Sequence, residues 1–120
     1  MQHVNLLCAH AGTPSLREFA EAFFDVIGVV DGQERESSNY AEGCYFKGSH
    51  DGAEFTLALS DDEDNEDLPF WVQITLNTTE SARLEDAVSR LARERLIGAG
   101  FRVALMVNFG KRYEQRIDYE

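Results

Sequence analysis

The 120-residue sequence predicts a single α+β domain, in which two helices pack on one face of a mostly antiparallel sheet of about six strands. Three observations lead to this fold class. Several short segments alternate apolar and polar residues, as strands do when one face of a sheet is buried. Two longer segments repeat their apolar residues at helical spacing instead. Along the chain the order is strand, helix, three strands, helix, two strands, with no linker or internal repeat.

The first two elements are a strand and an amphipathic helix. Residues 3–8 alternate apolar and polar side chains, which predicts the strand. Thr13 is the predicted N-cap of the helix, Pro14 suits its first position, and Gly28 is suited to end it. The predicted buried face of the helix consists of Leu16, Phe19, Ala20, Phe23, Phe24 and Ile27.

The middle of the chain predicts a three-stranded antiparallel meander over residues 40–77. Residues 31–39 precede it and are predicted to form a polar loop or the entry to the first of these strands. The Asp51-Gly52 pair is typical of a hairpin turn. The three strands are predicted at residues 40–48, 53–59 and 70–76.

The last third of the chain predicts the second helix and two further strands. Asn77 and Glu80 form a possible capping pair at the start of the helix, which runs to about Ile97. Gly98 and Gly100 follow and stop it. Its predicted buried stripe consists of Leu84, Ala87, Val88, Leu91, Ala92 and Leu96. The two strands are predicted at residues 101–109 and 112–119.

The net charge of −11 restricts the class of partner. Nucleic acids and anionic membrane surfaces are excluded as partners because the field of the protein repels them, whereas a cationic protein is attracted. The acid is concentrated in the middle of the chain. Residues 61–80 contain seven acidic and no basic residues, while residues 81–120 contain six acidic and eight basic residues.

The acidic segment, residues 61–67, connects the second and third strands of the predicted meander. Its six carboxylates belong to Asp61, Asp62, Glu63, Asp64, Glu66 and Asp67. Neighbouring like charges repel by roughly 1 kcal/mol per close pair in water. We therefore predict a loop held out from the sheet, and favour a surface that binds a basic partner. Three alternatives stay open: a solvated hairpin tip, a metal site without the glycine of an EF-hand, and an internal dock on the arginines of the second helix.

Trp71 follows the acidic segment after three intervening residues, on the strand face opposite Phe70 and Val72. If the helices cover the Phe70 face, Trp71 lies on the open face of the sheet, together with Tyr45. A large aromatic side chain rimmed by carboxylates is typical of a binding hot spot. The alternative is that a helix or a loop covers the indole. The predicted partner-binding residues are therefore the six acidic residues together with Trp71 and Tyr45.

No motif in the sequence predicts catalysis, a metal site or a cofactor. His3, His10 and His50 lack metal-ligand spacing, and no nucleotide-binding glycine pattern occurs. Cys8 and Cys44 lie in apolar runs, where a free cysteine behaves as a small buried apolar residue, with a disulfide as the alternative. Neither a signal-peptide pattern nor a run of about 18 apolar residues is found, so a non-enzymatic, cytoplasmic protein is expected.

The segments around the acidic segment resemble a known group of bacterial proteins. They read SSNYAEGCYFKG at residues 37–48, SDD at residues 60–62 and LPFWV at residues 68–72. Across residues 37–76 the chain resembles the small acidic immunity proteins of polymorphic toxin systems, including contact-dependent inhibition and bacteriocin immunity. The resemblance implies a cytoplasmic antidote that binds and blocks a cognate toxin domain, often a basic nuclease. It assigns no individual contact residue.

Two other functions stay open. One is a small enzyme whose site is assembled from scattered polar residues, which a deep pocket lined by His, Cys or paired carboxylates would favour. The other is an interaction module or oligomer subunit, in which the strands at residues 101–109 and 112–119 form a sheet-edge dimer. A molecular mass that does not depend on concentration would weaken the second alternative.

Overall fold

The computed structural model confirms the α+β fold and adds one strand to the predicted six. It describes residues 2–12, 15–38, 43–50, 52–60, 65–76, 81–108 and 112–119. The elements are β1 (Gln2–His10), α1 (Leu16–Ile27), β2 (Gln33–Glu36), β3 (Cys44–His50), β4 (Ala53–Leu59), β5 (Phe70–Leu76), α2 (Ser81–Leu91), a π-helical turn (Ala92–Leu96), a 3-10 turn (Ile97–Ala99), β6 (Phe101–Val107) and β7 (Gln115–Asp118).

The seven strands form one antiparallel sheet in the order β2-β3-β4-β5-β1-β6-β7. The predicted meander is confirmed, and β1 lies between β5 and β6 in the centre of the sheet. The strand that the sequence did not distinguish from a loop is β2, whose four residues, QERE, are all exposed. Such a run has no alternation of apolar and polar residues. Its place is set by pairing with β3 and by an ion pair between Arg17 of α1 and Glu34.

Helix α1 has the predicted buried face but a different N-cap. All six predicted apolar residues are buried. The cap is Ser15, whose hydroxyl accepts a hydrogen bond of 3.2 Å from the Glu18 N–H, so the prediction of Thr13 was wrong. The cue is the S-x-x-E spacing from Ser15 to Glu18, which is the spacing of a capping box. Thr13 and Pro14 lie outside the described residues. At the other end, Gly28 adopts φ 96° and its N–H donates to the Phe24 carbonyl, as predicted.

The helical segment after β5 is less regular than predicted. The α-helix proper ends at Leu91, and the chain continues through the π-helical and 3-10 turns to Gly100, which has φ 90°. Asn77, Glu80 and the side chain of Leu84 lie outside the described residues.

The buried stripe of this segment is narrower than predicted. Val88, Ala92 and Leu96 are buried at intervals of four residues. Ala87, predicted to be buried, is exposed because it lies one residue, about 100° of helical rotation, away from that line.

The main core lies between the two helices and one face of the sheet. Phe19 of α1 stacks on Phe70 of β5, with ring centroids 4.3 Å apart, and Phe23 meets Phe101 edge-on at 6.1 Å. Cys8 is fully buried in this core and burial raises the pKa of its thiol, while Cys44 is half-buried. Both cysteines are free, as favoured over a disulfide. A second, smaller cluster on the opposite face contains Leu7, Leu68, Ala104 and Met106.

Candidate binding surface

The sheet face opposite the helices carries its side chains in rows that cross the strands. The register aligns Tyr45 of β3, Ala58 of β4 and Trp71 of β5 in one row, since Phe46 pairs with Leu57 and Ala58 with Trp71. The row continues through Leu7 and Ala104. We call the stretch from Tyr45 to Trp71 the aromatic row. The prediction that Tyr45 and Trp71 share the face opposite Phe70 is confirmed.

Within the aromatic row, the two rings flank a small residue. Tyr45 and Trp71 are both half-buried, and Ala58 between them is fully buried. Two strand spacings separate the aromatic residues, which corresponds to about 10 Å. The indole N–H donates a 2.9 Å hydrogen bond to Asn5 Oδ1 on the neighbouring strand β1. The position of the indole is therefore fixed from both sides, by Asn5 and by the small apolar cluster against which Trp71 packs.

The end of the β4–β5 connection, residues 65–69, folds back onto this face, and we call it the loop base. Leu68 is 1% exposed and completes the small apolar cluster, and Asn65 is also buried. The Ser60 N–H donates to the Pro69 carbonyl at 2.8 Å, and the Leu68 N–H donates to the Asn65 carbonyl at 3.0 Å. The prediction of a loop held out from the sheet is therefore wrong for the loop base. Leu68 lies within this connection, and its apolar side chain is buried in the small cluster on the open face of the sheet.

Asp67 is the charged anchor of the loop base. Its carboxylate accepts hydrogen bonds of 2.9 and 2.8 Å from the Arg116 guanidinium and one of 3.0 Å from Arg102. The hydrogen bond from Arg116 is the main cause that lowers the pKa of Asp67 to about 2. The loop base thus has an internal dock whose arginines come from β6 and β7, whereas the predicted dock was on the arginines of the second helix.

Arg116 is the centre of this group. Its guanidinium also donates to Asn65 Oδ1 at 3.0 Å and to Asp118 Oδ1 at 2.7 Å. The hydrogen bonds to Asp67 and then to Asp118 raise the pKa of Arg116. Arg102 and Arg116 face away from the main core, since their positions alternate with those of the core residues Phe101, Val103 and Tyr119. Their meeting with Asp67 had no signal in the sequence, since Asp67 and Arg116 are 49 residues apart.

The remaining predicted binding residues divide into two groups. Glu66 is exposed beside the anchored Asp67. Asp61, Asp62, Glu63 and Asp64 lie outside the described residues. They are bounded by two residues that the structure fixes: Ser60, bonded to Pro69, and Asn65, bonded to Leu68 and Arg116.

His3 and His10 each lie within hydrogen-bonding distance of another group of the protein. His3 Nδ1 lies 2.8 Å from Thr75 Oγ1, and His10 Nε2 lies 3.2 Å from the Ala99 carbonyl oxygen. In the described ranges, no three His, Cys, Asp or Glu side chains converge as metal ligands would. Nor does any helix in those ranges have the length and apolar character needed to cross a bilayer.

A cavity of about 310 Å³ lies at the β6–β7 edge of the sheet. Its charged lining comes from Arg102, Arg116 and Asp118, and the rest is aromatic or aliphatic. The lining contains neither His nor Cys. Its one carboxylate, Asp118, accepts a hydrogen bond from Arg116.

Comparison of the chain with protein-family models, with curated proteins and with solved structures gives no match.

Proposed function

We propose that this chain is a non-enzymatic, cytoplasmic immunity protein that binds and neutralises a basic toxin domain. Its binding surface would combine the acidic segment with the adjoining aromatic row. The observation that carries the proposal is the anchored loop base. Asp67, Leu68 and the hydrogen bond between Ser60 and Pro69 hold the attachment points of the acidic segment against the open sheet face.

Anchoring matters because association requires the ordering of mobile groups. Ordering a flexible side chain at an interface costs roughly 0.5–1.5 kcal/mol. Residues 61–64 span the gap between Ser60 and Asn65, two positions fixed by hydrogen bonds and burial. The two ends of that gap are therefore already held in place before a partner binds.

The contacts of Asp67 determine which carboxylates of the acidic segment remain available to a partner. Two arginines already neutralise this carboxylate, so Asp67 serves as an anchor in the proposed complex. The other five acids of the segment, at positions 61–64 and 66, supply the field that attracts a cationic cleft. In a nuclease cleft they would stand in for the phosphates of the substrate.

The aromatic row supplies the apolar contact that charge alone lacks. Trp71 is the second residue of β5 and therefore lies at the foot of the acidic segment. Both Tyr45 and Trp71 keep part of their surface accessible. Aromatic residues of this kind, half-buried and held in position, dominate the binding energy of many interfaces. A row flanked by carboxylates thus combines attraction with a specific anchor.

The test uses the protein encoded by the gene adjacent to that of this chain. The variant D61N/D62N/E63Q/D64N removes four charges from the acidic segment. A matched control, E21Q/D25N/D86N/E94Q, removes four charges from exposed positions on the helix side. We expect the native chain to bind the toxic domain of that neighbour and to protect cells that express it. Association measured by stopped flow should slow at least tenfold in the first variant and much less in the control.

The same experiment can overturn the proposal. The dependence of the association rate on salt should flatten only in the acidic-segment variant, because screening acts on the charges that steer encounter. Equal slowing in both variants would mean that net charge alone acts and that this surface has no special role. Failure of the native chain to bind or protect against the adjacent protein would remove the immunity function.

A further inference from the structure

Successive residues of β7 direct their backbone N–H and C=O groups alternately towards β6 and away from it, and the structure shows which residues point outward. β7 is the last strand of the sheet and is paired with β6 on one side only. The Tyr119 N–H donates to the Val103 carbonyl at 2.9 Å, so the odd-numbered residues of this segment direct their backbone groups to β6. The N–H and C=O groups of Arg116 and Asp118 therefore point outward, where a further strand could bond to them.

We propose that this edge binds a second copy of the same chain, so that two sheets join through antiparallel β7 strands about a twofold axis. The axis would pass at Ile117. Arg116 would then pair with Asp118 of the second copy, and Ile117 would oppose Ile117 of the second copy. Each Arg116–Asp118 pair would exchange two backbone hydrogen bonds, and the two copies together would form four.

Side-chain charge favours this register over the neighbouring registers centred on Arg116 or Asp118. A twofold axis through Arg116 would place two arginines directly opposite, and an axis through Asp118 would place two aspartates opposite. Like charges directly opposite in a sheet are destabilising. The axis at Ile117 instead gives two Arg–Asp pairs on the open face. The Asp118 side chain is 57% exposed, so it can accept a second guanidinium beside its own Arg116.

Apolar burial favours the same register. Ile117 is 47% exposed and lies on the helix side of the sheet, paired with Leu105, which packs against the main core. In the proposed dimer the two Ile117 side chains form a non-hydrogen-bonded pair, the closer of the two kinds of antiparallel pair. The contact would extend the main core across the axis.

The opposite edge of the sheet lacks this complementarity. A twofold pairing of β2 would place either Glu34 opposite Glu34, or Arg35 opposite Arg35 with Glu34 opposite Glu36. Both arrangements bring like charges together. Charged edge strands of this kind are a common protection against edge-to-edge association. The two sheet edges therefore differ: twofold pairing can bring opposite charges together at β7, whereas it brings like charges together at β2.

The first measurement is the mass in solution by sedimentation equilibrium. The protein is studied from about 1 μM to about 1 mM, the range in which small interfaces associate. Salt of about 0.15 M screens the net charge beyond roughly 8 Å. We expect the mass to rise from 13.5 kDa towards twice that value. I117K should weaken the dimer at least tenfold, because it sets two ammonium groups opposite each other. A single-chain mass of the native protein at the highest concentration would overturn the proposal.

The second measurement tests the register by cross-linking. Non-hydrogen-bonded partners lie about 4.5 Å apart between Cα atoms, within the range that a disulfide spans. In a C44S background, we expect I117C to form a disulfide dimer on mild oxidation. Q115C is the control on the same strand and face, since Gln115 would oppose Tyr119 and lie about 13 Å along the strand from its own copy. Equal cross-linking of both variants, or none of I117C, would refute the register.

Discussion

Asp67 and Arg116 are joined by two parallel hydrogen bonds of 2.9 and 2.8 Å, although 49 residues separate them in sequence. This pair ties the β4–β5 connection to the edge strand β7. The same guanidinium also binds Asn65 within the loop base and Asp118 on its own strand. One arginine therefore links the two surfaces to which we assign binding, the acidic segment and the outer edge of the sheet.

Removing the charge of Asp67 should destabilise the protein measurably. D67N is expected to lower the free energy of unfolding by about 1 kcal/mol at pH 7, because a bidentate pair is strong but this one is partly exposed and screened. Urea denaturation followed by the fluorescence of Trp71, the single tryptophan, gives the measurement. E66Q is the control, since Glu66 is the exposed neighbour and its neutralisation should change stability by less than about 0.5 kcal/mol. Similar losses in both variants would contradict the role of Asp67 as an anchor.

The stability conferred by Asp67 should depend on pH in a defined direction. Its pKa falls from the ordinary value of 3.8 to about 2 in the folded protein. A lowered folded-state pKa stabilises the protein above the unfolded value, and this stabilisation is lost as pH falls through the folded value. The difference in unfolding free energy between the native protein and D67N should therefore be constant above about pH 5 and shrink between about pH 4 and pH 2. A difference that is undiminished at pH 2 would contradict the ion pair.

Leu68 should matter more for stability than its place in a loop suggests. It is 1% exposed and packs with Leu7, Ala104 and Met106 on the open face. L68A is expected to lower the free energy of unfolding by about 2–3 kcal/mol, through lost apolar burial and the cavity left behind. V30A is the control, because Val30 is 98% exposed and its truncation should change stability by less than about 0.5 kcal/mol. If L68A behaved like V30A, the loop base would not be packed on the sheet.

The spacing of apolar residues was sufficient to predict the buried face of a strand or helix that buries only one of its faces. The alternation around Val72 and the helical spacing around Phe19 and Phe23 each reported one buried face, and the structure buries those faces. Periodicity was insufficient for β6. Ala104 is also buried, on the opposite face, because the loop base covers that side of the sheet.

The remaining features depend on contacts between distant residues. β2 has no apolar residue to report its register, so its pairing with β3 and the ion pair between Arg17 and Glu34 define its place. The carboxylate of Asp67 looked like one of six equivalent charges, and only the tertiary fold brings Arg102 and Arg116 to it. The half-burial of Trp71 likewise reflects its hydrogen bond with Asn5 and its packing on the small cluster. The sequence could therefore predict the sheet face of the candidate surface but not how that surface is held in place.

The start of α1 offers a direct test between two capping residues. S15A should lower the free energy of unfolding by about 1 kcal/mol, because the Ser15 hydroxyl accepts from the Glu18 N–H and satisfies a group at the helix end. T13A, at the position predicted from the sequence, should change stability by less than about 0.5 kcal/mol. Urea denaturation of both variants decides the matter. A larger loss in T13A would restore the predicted cap and move the start of the helix.

Gly48 should tolerate no side chain, because the segment after α1 packs closely on β3 at this point. A Cβ at position 48 would lie 2.5 Å from Val29 Cγ1 and 3.4 Å from the Gly32 backbone. We expect G48A to lower the free energy of unfolding by about 1–3 kcal/mol through overpacking. G98A is the matched control, since a Cβ at position 98 meets nothing within 4 Å, and it should be neutral or slightly stabilising.

Denaturation of the two glycine variants in parallel separates overpacking from a general effect of replacing glycine. A neutral G48A would mean that Val29 can move away from β3 without loss. The position of α1 on the sheet would then depend on its aromatic face alone, with no contribution from the segment that follows it.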